Sequence, residues 1–244
     1  MEYRKYLRNP EEHLESDQQK GLPVPPIQKP YPKDAELIDL VPQEKFTIGN
    51  NVNLLDAIDN RESRRQYKQD ALTLEELSFL LWVTQGVKEL IRDDLLTLRT
   101  VPSGGCMHPF ETYLVINRVN GLKSGLYRYI AVGHKLLFLK ELDPEKMPEK
   151  MSEINNRQAF IGKAAVVFMW TVRPYRTEYR YADDSLKDIL MSVGHICQNL
   201  YLGVEAIECG TCAIVAYNQK LLDEFLEIDG YDEIALYLAP VGKI

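Results

Sequence analysis

The chain has 244 residues, 45% of them hydrophobic and 27% charged, which suits one large globular domain with an extension and a substantial core. A formal net charge of −7 argues against a dedicated nucleic-acid surface, and no apolar run approaches the ~20 residues needed to span a bilayer. The N-terminus lacks an apolar signal segment and the four cysteines suit a reducing setting, so a cytoplasmic protein without membrane attachment is expected.

Residues 1–45 read as an extended N-terminal arm. Seven of the thirteen prolines fall there, at 10, 23, 25, 26, 30, 32 and 42, and proline fixes φ while removing a donor. Leu22, Val24, Ile27, Tyr31, Leu37, Ile38 and Leu40 are too many apolar side chains for a solvated linker, so the arm should pack on a surface, its own or a partner subunit's.

Residues 46–244 read as the globular domain. Asn53 and the apolar spacing after it predict a short helix ending near Arg61, and Thr73-Leu74-Glu75-Glu76 is a capping box for a second helix stopped at Gly86. Strands are expected over 111–118, 125–130 and 135–140, a helix over 143–156, and a strand buried on both faces over 164–170. Leu186, Ile189, Leu190, Val193, Ile196, Leu200 and Val204 recur at helical spacing in the longest helix, about 184–208, which should face a core or a subunit seam. Asn218 caps a helix through Leu226, and 233–241 closes the chain as a strand. The irregular alternation implies an α+β layered domain. Residues 87–100 and 173–185 read as loops able to shape a substrate pocket.

In an extended stretch, Arg61, Ser63 and Arg65 leave on one face, placing two cations around a hydroxyl in a set suited to a phosphate monoester. Pro102-Ser103-Gly104-Gly105-Cys106-Met107-His108-Pro109 offers backbone without Cβ atoms that a flat ligand can approach closely. Together they suggest a phosphorylated planar cofactor. No G-x-G-x-x-G fingerprint is present, so a dinucleotide on a Rossmann unit is not supported. Cys209-Gly210-Thr211-Cys212 has C-x-x-C spacing without a second pair, which does not make a zinc site. His195 and Gln198 lie in the long helix, where a histidine is usually a satisfied core residue, and Trp82 and Trp170 read as interior rings.

The order of these segments, continued by Gly194-His195 through Asn199-Leu200, Gly210 through Ile214 and Pro240-Val241-Gly242-Lys243, resembles the nitroreductase-like flavoprotein superfamily over essentially the whole chain. The resemblance is nearest to the SagB/McbC-type dehydrogenase branch. It implies a three-layer α/β/α fold with a mostly antiparallel central sheet, and a homodimer with FMN at its interface. The implied activity is transfer of hydride or two electrons between flavin and a small organic substrate, with NADH or NADPH as candidate reductant.

Carried over by position, Arg61 and Ser63 hold the FMN phosphate, Lys243 adds a further phosphate ligand, and Arg65 lies near the ribityl chain or pyrimidine edge. Pro102, Ser103, Gly104 and Cys106 line the flavin, although many relatives carry Asn where this chain has Cys106. Ala213 and Ile214 stack on the ring, with a backbone N–H approaching N5. Azoline-oxidising members place Lys-Tyr where this chain has Arg180-Tyr181. A guanidinium does not serve as a base near neutrality, which counts against oxidation of azolines on a ribosomal peptide and leaves Tyr181 as a proton donor or substrate clamp. The remaining alternative is a flavin-binding protein without turnover.

Overall fold

The computed structural model describes residues 2–8, 13–49 and 52–244; Pro10, counted above with the arm, lies outside them. In chain order the elements are strand β1 (Leu37–Asp39), helices α1 (Leu54–Asn60) and α2 (Leu74–Gln85), then strands β2 (Val87–Ile91), β3 (Leu96–Arg99), β4 (Phe110–Ile116), β5 (Gly125–Ile130) and β6 (Lys135–Glu141). Helices α3 (Met147–Ile154) and α4 (Phe160–Lys163) lead to β7 (Val166–Val172), followed by α5 (Tyr175–Tyr181), α6 (Ser185–Glu205), β8 (Cys209–Thr211), α7 (Gln219–Leu226) and β9 (Ile234–Lys243).

Seven strands form one sheet in the order β1-β6-β5-β4-β7-β9-β8, every neighbouring pair antiparallel. The central strands β4 and β7 are buried along their whole length, and their side chains alternate between two cores. Leu114, Ile116, Phe168 and Trp170 meet Leu77, Leu80 and Leu81 of α2 and Ile189, Val193, Ile196 and Leu200 of α6. Tyr113, Val115, Val167 and Met169 meet Met147, Met151 and Ile154 of α3 and Leu222, Phe225 and Leu226 of α7. This period of two gives the three-layer α/β/α arrangement around a mostly antiparallel sheet that the sequence implied.

Helix starts follow from local chemistry. Asn53 accepts from the Leu55 N–H, Thr73 and Glu76 complete a reciprocal capping box, and Asn218 accepts from the Leu221 N–H. The arm packs on its own chain. It contributes β1 to the sheet edge, and the Lys29 N–H donates to Glu111 at 2.6 Å. The Lys29 ammonium bonds Glu233 at 2.6 Å and the Tyr113 hydroxyl at 2.9 Å. Arg99 donates to the Ile27 carbonyl at 3.1 Å, and Arg128 to the carbonyls of Lys29 and Pro30 at 3.1 and 3.0 Å.

Three segments differ from the sequence reading. Residues 87–99 form the β2–β3 hairpin, whose reversal uses Arg92, Asp93 and Asp94 at positive φ and so lacks the glycine that signals a turn. Residues 175–181 form α5, a short charged helix without apolar periodicity that begins after Pro174. The helix expected over 143–156 starts only at Met147, with Pro148 in its first turn.

Candidate functional site

The segment after α1 runs along the outer edge of the sheet. Ser63 makes a parallel bridge with Thr211 of β8, the Arg64 N–H donates to the Thr211 carbonyl at 2.9 Å, and the Lys68 N–H donates to the Lys243 carbonyl at 2.9 Å. The approach is close enough that a Cβ on Gly242 would sit 2.8 Å from the Tyr67 Cβ, so β9 must be bare at that position. Burial raises the Tyr67 phenol pKa, and its hydroxyl donates to the Arg64 carbonyl at 2.8 Å.

Tyr201 of α6 is the hub of this edge. Its hydroxyl lies 2.8 Å from Ser63 Oγ and accepts from the Ala213 N–H at 2.8 Å, while the Arg61 guanidinium sits over its ring at 5.4 Å from the centroid. Arg64, by contrast, is neutralised by Glu205 at 2.6 Å and Glu62 at 3.2 Å. Among the described residues neither Arg61 nor Arg65 has a carboxylate partner. Lys243 is committed elsewhere: its ammonium bonds Glu76 at 2.5 Å and the Ile207 carbonyl at 2.8 Å. Burial works against that charge, yet the Glu76 carboxylate raises its pKa overall.

Neither N–H of the expected flavin segment is free, because Ala213 donates to Tyr201 and Ile214 donates to the Leu238 carbonyl at 2.8 Å. The exposed residues Val215 and Ala216 follow directly, and their N–H groups have no partner among the described residues.

The glycine turn forms a second cluster. Gly105, Cys106 and His108 all have positive φ, an arrangement costly for the two that carry side chains. The turn is closed by the His108 N–H donating to Ser103 Oγ at 3.1 Å. Arg180 of α5 lies across the bare face of Gly105, where a Cβ would meet its Cδ at 2.6 Å, and its guanidinium sits 5.6 Å over the Tyr181 ring. Cys106 and Tyr181 pack on the small apolar cluster of Leu96, Met107 and Tyr179. Asp188 faces the Gly104 N–H, and burial raises its carboxyl pKa. Pro102 is exposed at the mouth of the turn. The other half of α5 and the Pro23–Pro30 stretch of the arm line a cleft of about 620 Å³.

The structure therefore gathers Arg61, Ser63, Ala213 and Ile214 at one place and Ser103, Gly104, Cys106, Arg180 and Tyr181 at another. Asp188 and Tyr201 mark the two places, and thirteen residues of α6 at about 1.5 Å each separate them by roughly 20 Å. Sequence reasoning missed Tyr201, Glu205, Asp188 and the Val215–Ala216 donors. The available signal for Tyr201 was a polar-tipped ring beside the aliphatic stripe of Ile196, Leu200 and Val204. His195 is exposed on α6 and is not the core histidine expected there, since it leaves the helix opposite the packed face. Trp170 is fully buried, whereas Trp82 is only partly so, edge-on to His134 at 5.8 Å. Cys209 is a buried thiol that burial pushes up to about 12, far from the thiolate that dithiol chemistry needs.

One buried imidazole, His108, and one half-buried, His134, set an acid limit. Burial first, then the nearby Arg99 guanidinium, lowers His108 to about 3, and burial lowers His134 to about 4. Below its ordinary value near 6.5 each ring takes up a proton in the unfolded chain but not in the folded one, so stability falls as pH drops. Between pH 6.5 and about 4.5, before ordinary carboxylates titrate, the urea midpoint should decline steadily. A flat midpoint across that window would contradict neutral burial of both rings.

Residues 58–243 match the Nitroreductase family. Nitroreductase-family protein MJ1384 of Methanocaldococcus jannaschii is 32% identical over 192 residues, spanning 79% of this chain and 91% of that protein. The trifolitoxin-processing protein TfxB of Rhizobium leguminosarum bv. trifolii is 24% identical over 206 residues, 82% of this chain but 54% of TfxB. Among solved structures, a nitroreductase-type protein of Ralstonia eutropha superposes with a TM-score of 0.69 at 22% identity, covering 91% of this chain and 98% of that one. One of Desulfovibrio desulfuricans, solved in complex with FMN, superposes with a TM-score of 0.52 at 14% identity over 78% of this chain and 86% of that one. By sequence and by fold, the chain belongs to the Nitroreductase family.

Proposed function

We infer that this chain is an FMN-dependent oxidoreductase that works on a small organic substrate. The observation carrying this reading is the pair of guanidiniums, Arg61 and Arg65, that no carboxylate neutralises among the described residues, flanking the exposed Ser63 beside the Ala213–Ala216 segment. That donor set fits a phosphate monoester joined to a ring system that uses backbone N–H groups. Family membership and the FMN held by the Desulfovibrio desulfuricans protein support the same assignment.

FMN, when bound, supplies a carrier that takes up and gives back hydride or two electrons. The chain's part is to hold the phosphate with Arg61 and Ser63, to add positive charge with Arg65, and to offer the Val215 and Ala216 N–H groups to the ring edge. Lys243 is already paired with Glu76, so a phosphate role would require that pair to open. Ser103, Gly104 and Cys106 would wall the ring from the other side, with Pro102 at the rim. Arg180 and Tyr181 face the same turn as candidate substrate contacts, Arg180 as a fixed cation and not as a base.

One chain keeps its two clusters roughly 20 Å apart on α6, and a two-fold homodimer resolves this. The midpoint between Asp188 and Tyr201 falls at Gly194, where a Cβ would meet nothing within 4 Å. Leu186, Leu190 and Met191 of α6 are exposed, as are Leu54, Leu55 and Ile58 of α1, which packs against α6. Antiparallel α6 helices crossing at Gly194 set the glycine turn of one copy against Ser63 of the other. Leu190→Asp should then give a monomer in sedimentation velocity that has lost most of its flavin; a flavin-loaded monomer would contradict the shared site.

The purified chain should release FMN on heating. It should also be bleached anaerobically by NADH or NADPH, with turnover on a nitroaromatic or quinone acceptor. A colourless protein that refuses added FMN would end the reading, and bleaching without turnover would indicate a carrier. Kinship with TfxB favours testing a cyclised peptide for loss of two hydrogens, the mark of azoline oxidation.

A further inference from the structure

We propose that Tyr201 is a positioning residue that aims the Ser63 hydroxyl at the cofactor's phosphate, so that this chain distinguishes phosphorylated flavin from riboflavin through a tyrosine that never touches the ligand. The inference rests on the FMN reading above and adds the device by which the phosphate is recognised.

The argument is one of hydrogen-bond polarity. The Ala213 N–H can only donate, and it donates to the Tyr201 oxygen at 2.8 Å. The Tyr201 proton then needs an acceptor, because the residue is only 8% exposed. Ser63 Oγ, 2.8 Å away, is the acceptor in place. In the reverse orientation Ser63 would donate inward and leave the buried phenol proton without a partner, the costlier arrangement. The satisfied order therefore runs Ala213 N–H to Tyr201 O–H to Ser63 O–H, and ends in a proton on an exposed serine. Each donor in such a run polarises the next, and an anion is its natural terminus.

Arg61 completes the device. Its guanidinium stands over the Tyr201 ring without a carboxylate partner among the described residues, so one aromatic side chain fixes both the cation and the hydroxyl expected at the phosphate. The hub also links the phosphate end to the 213–216 segment through the Ala213 N–H. Phenylalanine would keep the ring and the Arg61 stacking while removing the relay and with it the acceptor of the Ala213 N–H, so Tyr201→Phe separates the hydroxyl from the packing.

The test is titration of the full chain, freed of bound flavin, with FMN and with riboflavin, read by flavin fluorescence. Tyr201→Phe should weaken FMN about tenfold, the equivalent of one oriented hydrogen bond, and change riboflavin less than about twofold. Ser63→Ala should show the same selective loss, and the double variant should lose no more than either single one, because both remove the same relay. Equal weakening of FMN and riboflavin by Tyr201→Phe would make the residue merely structural and overturn the proposal, as would losses that add in the double variant. Wild-type protein binding neither flavin would overturn the FMN reading and this inference together, whereas FMN bound no tighter than riboflavin would overturn the inference alone.

Discussion

Arg61→Ala should weaken FMN retention by about 1.5–3 kcal/mol, roughly a ten- to 150-fold rise in Kd, as expected for loss of a charge-assisted bond to phosphate. The effect should be large because the guanidinium is not spent elsewhere. Neighbouring Arg64 is tied to Glu205 and Glu62, so Arg64→Ala should act on folding before it acts on the ligand. Arg61→Lys should fall between wild type and alanine, keeping the charge but losing the planar fork and its stacking on Tyr201. Equilibrium dialysis with FMN reads all three, and an unchanged Kd for Arg61→Ala would remove the residue from the site.

Glu111→Ala should destabilise the fold by about 3–5 kcal/mol in urea unfolding, because it leaves a buried cation unpaired. Glu111 and Arg176 pair at 2.5 Å with each side chain only 4% exposed, and the same carboxylate accepts the arm's Lys29 N–H. Removing it takes away one tie of β4 to α5 and one to the arm at once. Glu111→Gln should cost less, since an amide oxygen still accepts from both donors. Arg61 and Glu111 share no partner, so their effects should add in the double variant; strong coupling would mean that the phosphate cluster and the arm communicate.

Most helices and the central strands were legible because their signals are local and periodic, whereas the three-layer arrangement came from the resemblance to a known superfamily. β7 announces itself as a continuous apolar run, α2 by the Thr73–Glu76 box, and α7 by Asn218. The hairpin after Gly86 was not, since its turn is built from Arg92, Asp93 and Asp94 in conformations that side chains rarely adopt. Nor was α5, which lacks an apolar stripe and takes its direction from Pro174 and from the Arg176–Glu111 pair. At the site, spacing picked out the Arg61–Ser63–Arg65 strand and the glycine turn, yet could not tell that Lys243 is matched to Glu76 across 167 positions. Long-range pairing of that kind leaves no periodic trace. The split along α6 was half legible: Ile189, Val193 and Ile196 turn to the core, while Leu186 and Leu190 from the same apolar series stay outside.

The arm's contacts with Arg99 and Arg128 bear on where this protein can be cut. Residues 58–243 match the family, but both of these arginines are at most 5% exposed, and Ile27, Lys29 and Pro30 of the arm supply three of the carbonyls they donate to. Burial brings Arg99 down to about 10, and its remaining donors go to Gln85 Oε1 and Thr97 Oγ1, each at 3.0 Å. A fragment trimmed to the family boundaries would remove the arm's share of that lining. The stretch from Ile27 to Pro30 is thus expected to add to the stability of the fold, upstream of the residues that match the family.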